Sequence, residues 1–101
     1  MIEESAFYFC YQLQRIDIPK DSKLQTIGDY AFSYSKINSM IIPSSVTLIG
    51  ENVFSSCNQL YIIEINNNEI MSMYHTAFKN CKNILLMISN SLFEKWNLYI
   101  L

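Results

Sequence analysis

Apolar and polar positions along the chain recur with a period of about 23 residues. The clearest marker is a small apolar residue followed by Phe, at intervals of 25, 22 and 24 residues. The four pairs are Ala6-Phe7, Ala31-Phe32, Val53-Phe54 and Ala77-Phe78. A unit this short cannot bury an apolar face alone, so the pattern predicts units that stack on identical neighbours. The Phe residues would then form a ladder through the core.

Each unit also contains an alternating stretch of aliphatic residues. These stretches are residues 16–18, 40–42 and 63–65, and residues 85–88 keep the register only loosely. Aliphatics at every second position are typical of a strand with one buried face, and we expect neighbouring units to pair these strands in parallel. Pro19 and Pro43 are expected to end two of them, because proline has no N–H to donate.

Two further positions recur in the unit. Gly28 and Gly50 follow an Ile and precede the Phe by four residues, and we expect them where a side chain would clash or φ is positive. A small residue follows each Phe by three positions, at Cys10, Ser35, Cys57 and Cys81. We expect the cysteines to be buried free thiols, with a disulfide between the last two as the open alternative.

Residues 42–60 resemble the BspA-like, Treponema-type leucine-rich repeat, whose unit reads Ile-Pro-x-Ser-Val-x-x-Ile-Gly-x-x-Ala-Phe-x-x-Cys-x-x-Leu. The resemblance extends over residues 2–89 and weakens toward the C-terminal side, where Asn66 replaces the Pro. It implies an elongated solenoid with a parallel sheet on its concave side, and roles in adhesion and protein binding. The composition, rich in Asn, Ile, Tyr and Lys, would suit an AT-rich protist genome.

Pattern and resemblance together predict an α/β-type repeat solenoid that is mostly β. It has a parallel concave sheet and short helical or irregular convex turns. We expect a single domain over residues 1–101, with approximate units 2–26, 27–48, 49–72 and 73–89. Residues 90–101 do not fit the unit and are interpreted as a divergent tail or an aromatic cap.

Composition excludes several classes of function. The net charge is -2 and the Lys and Arg residues form no run, so no nucleic-acid surface is predicted. No apolar stretch reaches the roughly 18 residues of a membrane span, and residues 1–5 lack a signal-peptide pattern. Localisation stays open. A lone His75 and only two Gly offer neither a metal site, a catalytic triad nor a phosphate loop, so no enzyme activity, cofactor or metal is predicted.

The outward side of the alternating stretches is the candidate partner-binding surface. It consists of Arg15, Asp17, Ser39, Ile41, Ile62, Glu64, Leu86 and Ile88. The competing interpretation is that β-branched residues are there only because they favour strands. Tyrosines at positions 8, 11, 34, 61 and 74 are assigned to the convex side or rim, where packing between units is favoured.

The hypothesis is therefore a protein-protein interaction module whose partner is another protein, with end-to-end self-association as a further expectation. The alternatives are an intracellular scaffold or regulator with the same fold, and a truncated repeat fragment without function.

Overall fold

The computed structural model describes residues 1–66, 72–82 and 84–87. Their strands form two three-stranded parallel sheets. One sheet contains β1 (Thr26–Ile27), β3 (Leu48–Ile49) and β5 (Ser72–Met73), and the other contains β2 (Ser39–Ile42), β4 (Ile62–Ile65) and β6 (Leu85–Met87). Each strand pairs with its equivalent in the next unit. None of these residues forms a helix long and apolar enough to cross a membrane.

The sheet β2-β4-β6 confirms the parallel pairing expected for the alternating stretches. Met40 pairs with Ile63, and both are buried, whereas Ile41 between the buried positions of β2 is exposed. β2 ends at the residue before Pro43, as the missing N–H of proline requires. The alternation therefore sets one face of each strand against the core.

The first alternating stretch, residues 16–18, was predicted as a strand and is not one. The Asn38 N–H donates to the Gln14 carbonyl at 3.2 Å, much as the Tyr61 N–H donates to the Asn38 carbonyl at 3.0 Å one unit later. The first unit thus enters the same layer but does not continue the ladder. An edge segment has a partner on one side only, which weakens its pairing.

The sheet β1-β3-β5 was not predicted. Its strands are two residues long and bury Ile27 and Ile49 completely. Ile2 forms a parallel bridge with Ile27 and adds one more rung. β1 and β3 contain the Ile of the two Ile-Gly pairs, so this sheet fixes where each unit turns toward its Phe.

The Phe ladder is confirmed as the centre of the core. The rings of Phe7, Phe32, Phe54 and Phe78 stack in series at centroid distances of 5.3, 5.7 and 5.5 Å, with interplanar angles of 0°, 9° and 4°. Phe32 and Phe54, in the middle, have no exposed surface. Burial of apolar area, with ring stacking in addition, therefore holds each unit to the next.

The Ala-Phe segments are successive turns, and the described residues contain no helix. Of the short helical or irregular turns that were predicted for the convex side, only the irregular ones are present among these residues. Backbone donors alternate: the Phe7 N–H reaches the Ala31 carbonyl of the next unit at 2.8 Å, while the Tyr8 N–H donates to the Ser5 carbonyl of its own turn at 3.2 Å. Every second N–H thus joins two units, and a buried turn keeps its polar groups paired.

Among the residues that the structure describes, this winding places seven other than glycine at positive φ. They lie two residues before or after a ladder Phe: Ser5, Phe9, Tyr30, Tyr34, Asn52, Ser56 and Asn80, with φ between 55° and 61°. The left-handed region costs a residue with a side chain about 1–2 kcal/mol. Asn tolerates it best, whereas bulky residues are uncommon there.

Gly28 and Gly50 are required by close approach and not by φ, which is positive at neither. A Cβ on Gly28 would lie 2.7 Å from the Glu4 nitrogen. One on Gly50 would lie 2.9 Å from the Asp29 nitrogen and still closer to the Asp29 carboxylate. Of the two reasons expected for these glycines, the structure supports the steric one.

Candidate functional site

A groove with a volume of about 750 Å³ lies along the face of β2 and β4 that is turned away from the Phe ladder. Six of the eight residues predicted for the partner-binding surface line it: Arg15, Asp17, Ser39, Ile41, Ile62 and Glu64. The structure therefore brings together three units at one site. Lys20, Ser44 and Asn66 also line the groove and were not predicted.

The apolar part of this groove is a diagonal pair of isoleucines. In the register, Ile41 pairs with Glu64 and Ile62 pairs with Ser39. Ile41 is 56% exposed and Ile62 is half-buried. Diagonal neighbours on adjacent strands are close enough for large side chains to interact. An aliphatic surface of this kind on a sheet face is available to a partner.

On the third strand the register places Leu85, which was not predicted, on the outward side. Leu86 pairs with the buried Ile63, whereas Leu85 pairs with Ile62 and is 58% exposed. Leu85 therefore lies beside Ile62 on the outward side, and the side chain of Leu86 lies outside the described part of the structure. Residues 84–88 are apolar throughout, so the sequence offers no alternation to fix the register. Ile88, the last predicted residue, lies outside the described residues.

Charged side chains line the rest of the groove. The Arg15 Nε donates to Asp17 Oδ1 at 2.8 Å, with both side chains about three-quarters exposed. The hydrogen bond that Arg15 donates to Asp17, and then the charge of that carboxylate, raise the pKa of Arg15. Asn66 Nδ2 donates weakly to Glu64 Oε2 at 3.4 Å. Exposed pairs of this kind contribute little to stability, so they remain free to exchange partners.

The cysteines lie outside the groove as free thiols. Cys57 is buried, as expected, whereas Cys10 and Cys81 are only half-buried. Cys57 Sγ donates to the Phe32 carbonyl at 3.0 Å, and Cys81 Sγ donates to the Phe54 carbonyl at 2.9 Å. Burial raises the pKa of Cys57, and it raises the pKa of Cys81 to about 11. Within the described ranges, no group of three His, Cys, Asp or Glu is placed to hold a metal ion.

The raised pKa of Cys81 predicts slow alkylation. Only the thiolate reacts, so the folded chain should react with iodoacetamide more slowly at about pH 8.5 than the urea-unfolded chain. The alkylation rate of Cys81 in the folded chain should continue to rise up to about pH 11, because burial raises the pKa of this thiol to about 11. Mass spectrometry of the Cys81 peptide after timed quenching measures both rates. A rate that levels off near pH 9 in the folded chain would contradict the expected burial.

Parallel strands that pair at offsets of one unit, around a stack of four Phe rings, define a repeat protein of the leucine-rich type. The chain belongs to the family described as BspA type leucine rich repeat region, whose model matches six copies over residues 1–100. This confirms the resemblance noted at residues 42–60. The division into four units stays a prediction. No curated protein and no solved structure matches the chain.

Proposed function

We propose that the chain is a protein-interaction module that binds an extended segment of another protein in the groove along β2 and β4. The observation that carries the proposal is the convergence of six outward residues from three units on one groove. The family supports a role in protein binding. No catalytic activity is part of this proposal.

The chemistry of the groove favours a protein as the occupant. Ile41 and Ile62 offer apolar area, and Arg15, Asp17 and Glu64 surround it with charge. Interfaces between proteins have this arrangement, with an apolar centre and a polar rim. We infer that aliphatic side chains of the partner lie against the isoleucines, while the rim charges select their orientation.

Replacing Ile41 by Asp should abolish this binding without unfolding the chain, because Ile41 is mostly exposed. A charge that a partner desolvates without pairing weakens binding by about tenfold or more. The measurement compares which proteins are retained by immobilised parent chain and by the variant, with Ile62→Asp as a second variant.

Gln59→Asp provides the matched control, since Gln59 is exposed and lies outside the groove. The substitution adds the same charge as Ile41→Asp. A partner retained by the parent and the control but lost by Ile41→Asp supports the groove. Unchanged retention by a folded Ile41→Asp chain would exclude the groove as the interface.

At the finer level, we propose an elongated solenoid of the surface-adhesion kind, with the groove on its concave side. Adhesion requires that the chain be displayed outside the cell, whereas an intracellular scaffold would not be. Antibody labelling of intact and of permeabilised cells separates the two. Labelling that depends on permeabilisation would favour the scaffold.

The hydrogen bonding of the turns also supports end-to-end association of two copies. Carbonyls of the second unit, such as that of Ala31, accept N–H groups from the first. The equivalent carbonyls of Glu4, Ala6 and Tyr8 accept no backbone bond from any described residue. Unpaired backbone edges are templates for pairing. These carbonyls need N–H donors from the opposite end of a second copy, so the contact is head-to-tail. Sedimentation velocity should then show oligomers that grow with concentration, and a monomer at all concentrations would rule it out.

A further inference from the structure

A cluster of exposed aromatic rings lies on the turns of the first two units, separate from the groove. It consists of Tyr8, Phe9, Tyr11, Tyr30 and Tyr34, and each ring is between 38% and 58% exposed. Phe9 and Tyr34 stack at 4.5 Å and 2°, and Tyr8 meets both rings edge-on at 4.5 and 6.0 Å. The rings pack across units, as expected, but remain accessible to solvent. We call them the aromatic cluster.

The backbone gives no local reason for these aromatics. Phe9, Tyr30 and Tyr34 are at positive φ, at 58°, 60° and 61°. The equivalent positions in the later units hold Asn52, Ser56 and Asn80, which are small polar residues that suit this conformation. The first two units therefore carry strained bulky residues where the same turn is formed elsewhere without them. Side chains that oppose the local preference and stay exposed are typical of functional surfaces.

The charge beside the aromatic cluster is negative. Glu4, Asp29 and Glu51 occupy one position of the repeat, each directly before a residue at positive φ. The Tyr30 N–H donates to the Glu51 carbonyl at 2.8 Å, so adjacent units bring this acidic row alongside the aromatic one. Lys36 is the only Lys or Arg within two residues of the cluster along the sequence.

We propose that the aromatic cluster and the acidic row bind a basic, arginine-containing peptide segment of a partner protein. A planar guanidinium both stacks on aromatic faces and pairs with carboxylates. An ammonium pairs with carboxylates better than it binds to aromatic faces. The same carboxylates repel the phosphates of nucleic acids and of anionic lipids. The chemistry therefore points to a cationic peptide and away from the other partners that aromatic surfaces bind.

The test uses the full chain and a fluorescein-labelled peptide of four Gly-Arg repeats, with fluorescence anisotropy as the measurement. A peptide with citrulline in place of arginine keeps the shape and removes the charge. It should bind at least about fivefold more weakly than the arginine peptide. Binding of the arginine peptide should weaken as salt is raised, because the carboxylates of Glu4 and Glu51 are exposed. Equal binding of both peptides would overturn the proposal.

Tyr34→Asn separates binding from packing. It removes a ring but places at φ 61° the residue type that occupies Asn80. We expect peptide binding about threefold weaker or worse, with a thermal midpoint no lower than that of the parent. Tyr61→Asn is the control, since Tyr61 is 58% exposed and not part of the cluster. It should bind the peptide as the parent does.

Two results would overturn the inference. If the midpoint of Tyr34→Asn falls well below that of Tyr61→Asn, the rings serve packing. The proposed ligand class is wrong if a single-stranded oligonucleotide binds the parent chain but not the Tyr34→Asn variant. The same holds for vesicles of phosphatidylcholine and phosphatidylglycerol.

Discussion

The Phe54→Ala chain should be the least stable single-ring variant, losing about 3–5 kcal/mol of its free energy of unfolding. Phe54 is fully buried and stacks on Phe32 at 5.7 Å and on Phe78 at 5.5 Å. Removing it leaves a cavity between two rings that other backbone contacts hold apart. The free energy of unfolding of a domain of this size is about 5–15 kcal/mol in total. The thermal midpoint should therefore fall by about 12 °C or more.

Phe78→Ala is the matched comparison, because Phe78 is only half-buried and stacks on one ring among the described residues. It should lose clearly less stability than Phe54→Ala. Tyr61→Ala, at an exposed position, should change the midpoint by no more than a few degrees. Thermal unfolding followed by circular dichroism measures all three. Equal losses at Phe54 and Phe78 would show that the stack does not set the stability.

The Phe ladder was predictable because its information is repeated. Four equivalent positions carry the same side chain, and stacking one ring on the next buries the middle two completely. The groove followed from the same logic, since alternation in β2 and β4 assigns one face to the core. Four of its residues follow from that alternation, and Arg15 and Asp17 follow from the same period in residues 16–18, although that stretch forms no strand.

Other features lacked a local signal. Two-residue strands such as β1 are too short to show a period, so their sheet went unnoticed. The uniformly apolar residues 84–88 left the register of β6 ambiguous by one. The left-handed turns were hidden for another reason: Tyr30 and Tyr34 are not residues that predict positive φ. Both residues belong to the aromatic cluster.

Gly50→Ala should be the second severe change, with a loss at or above the upper end of the roughly 1–3 kcal/mol typical of overpacking. The added Cβ would lie 2.9 Å from the Asp29 nitrogen and 3.2 Å from its Cα. Asp29 cannot easily move away, because its Oδ1 accepts the Glu51 N–H at 2.9 Å. The Gly50 N–H is itself bound to the Ile27 carbonyl at 2.9 Å. The unit that contains Asp29 and the unit that contains Gly50 would therefore have to move apart.

Gly28→Ala tests the same contact against the first unit, where the Cβ would meet the Glu4 nitrogen at 2.7 Å. Described residues hold that unit from one side only, so it can move away from its neighbour. Hydrogen exchange should then show lost protection at the Phe7 and Phe9 amides with most of the global stability retained. In Gly50→Ala, by contrast, protection should fall throughout the chain. Unchanged stability in Gly50→Ala would mean that the units are not packed as closely as their backbones indicate, since φ at Gly50 offers no other reason for glycine.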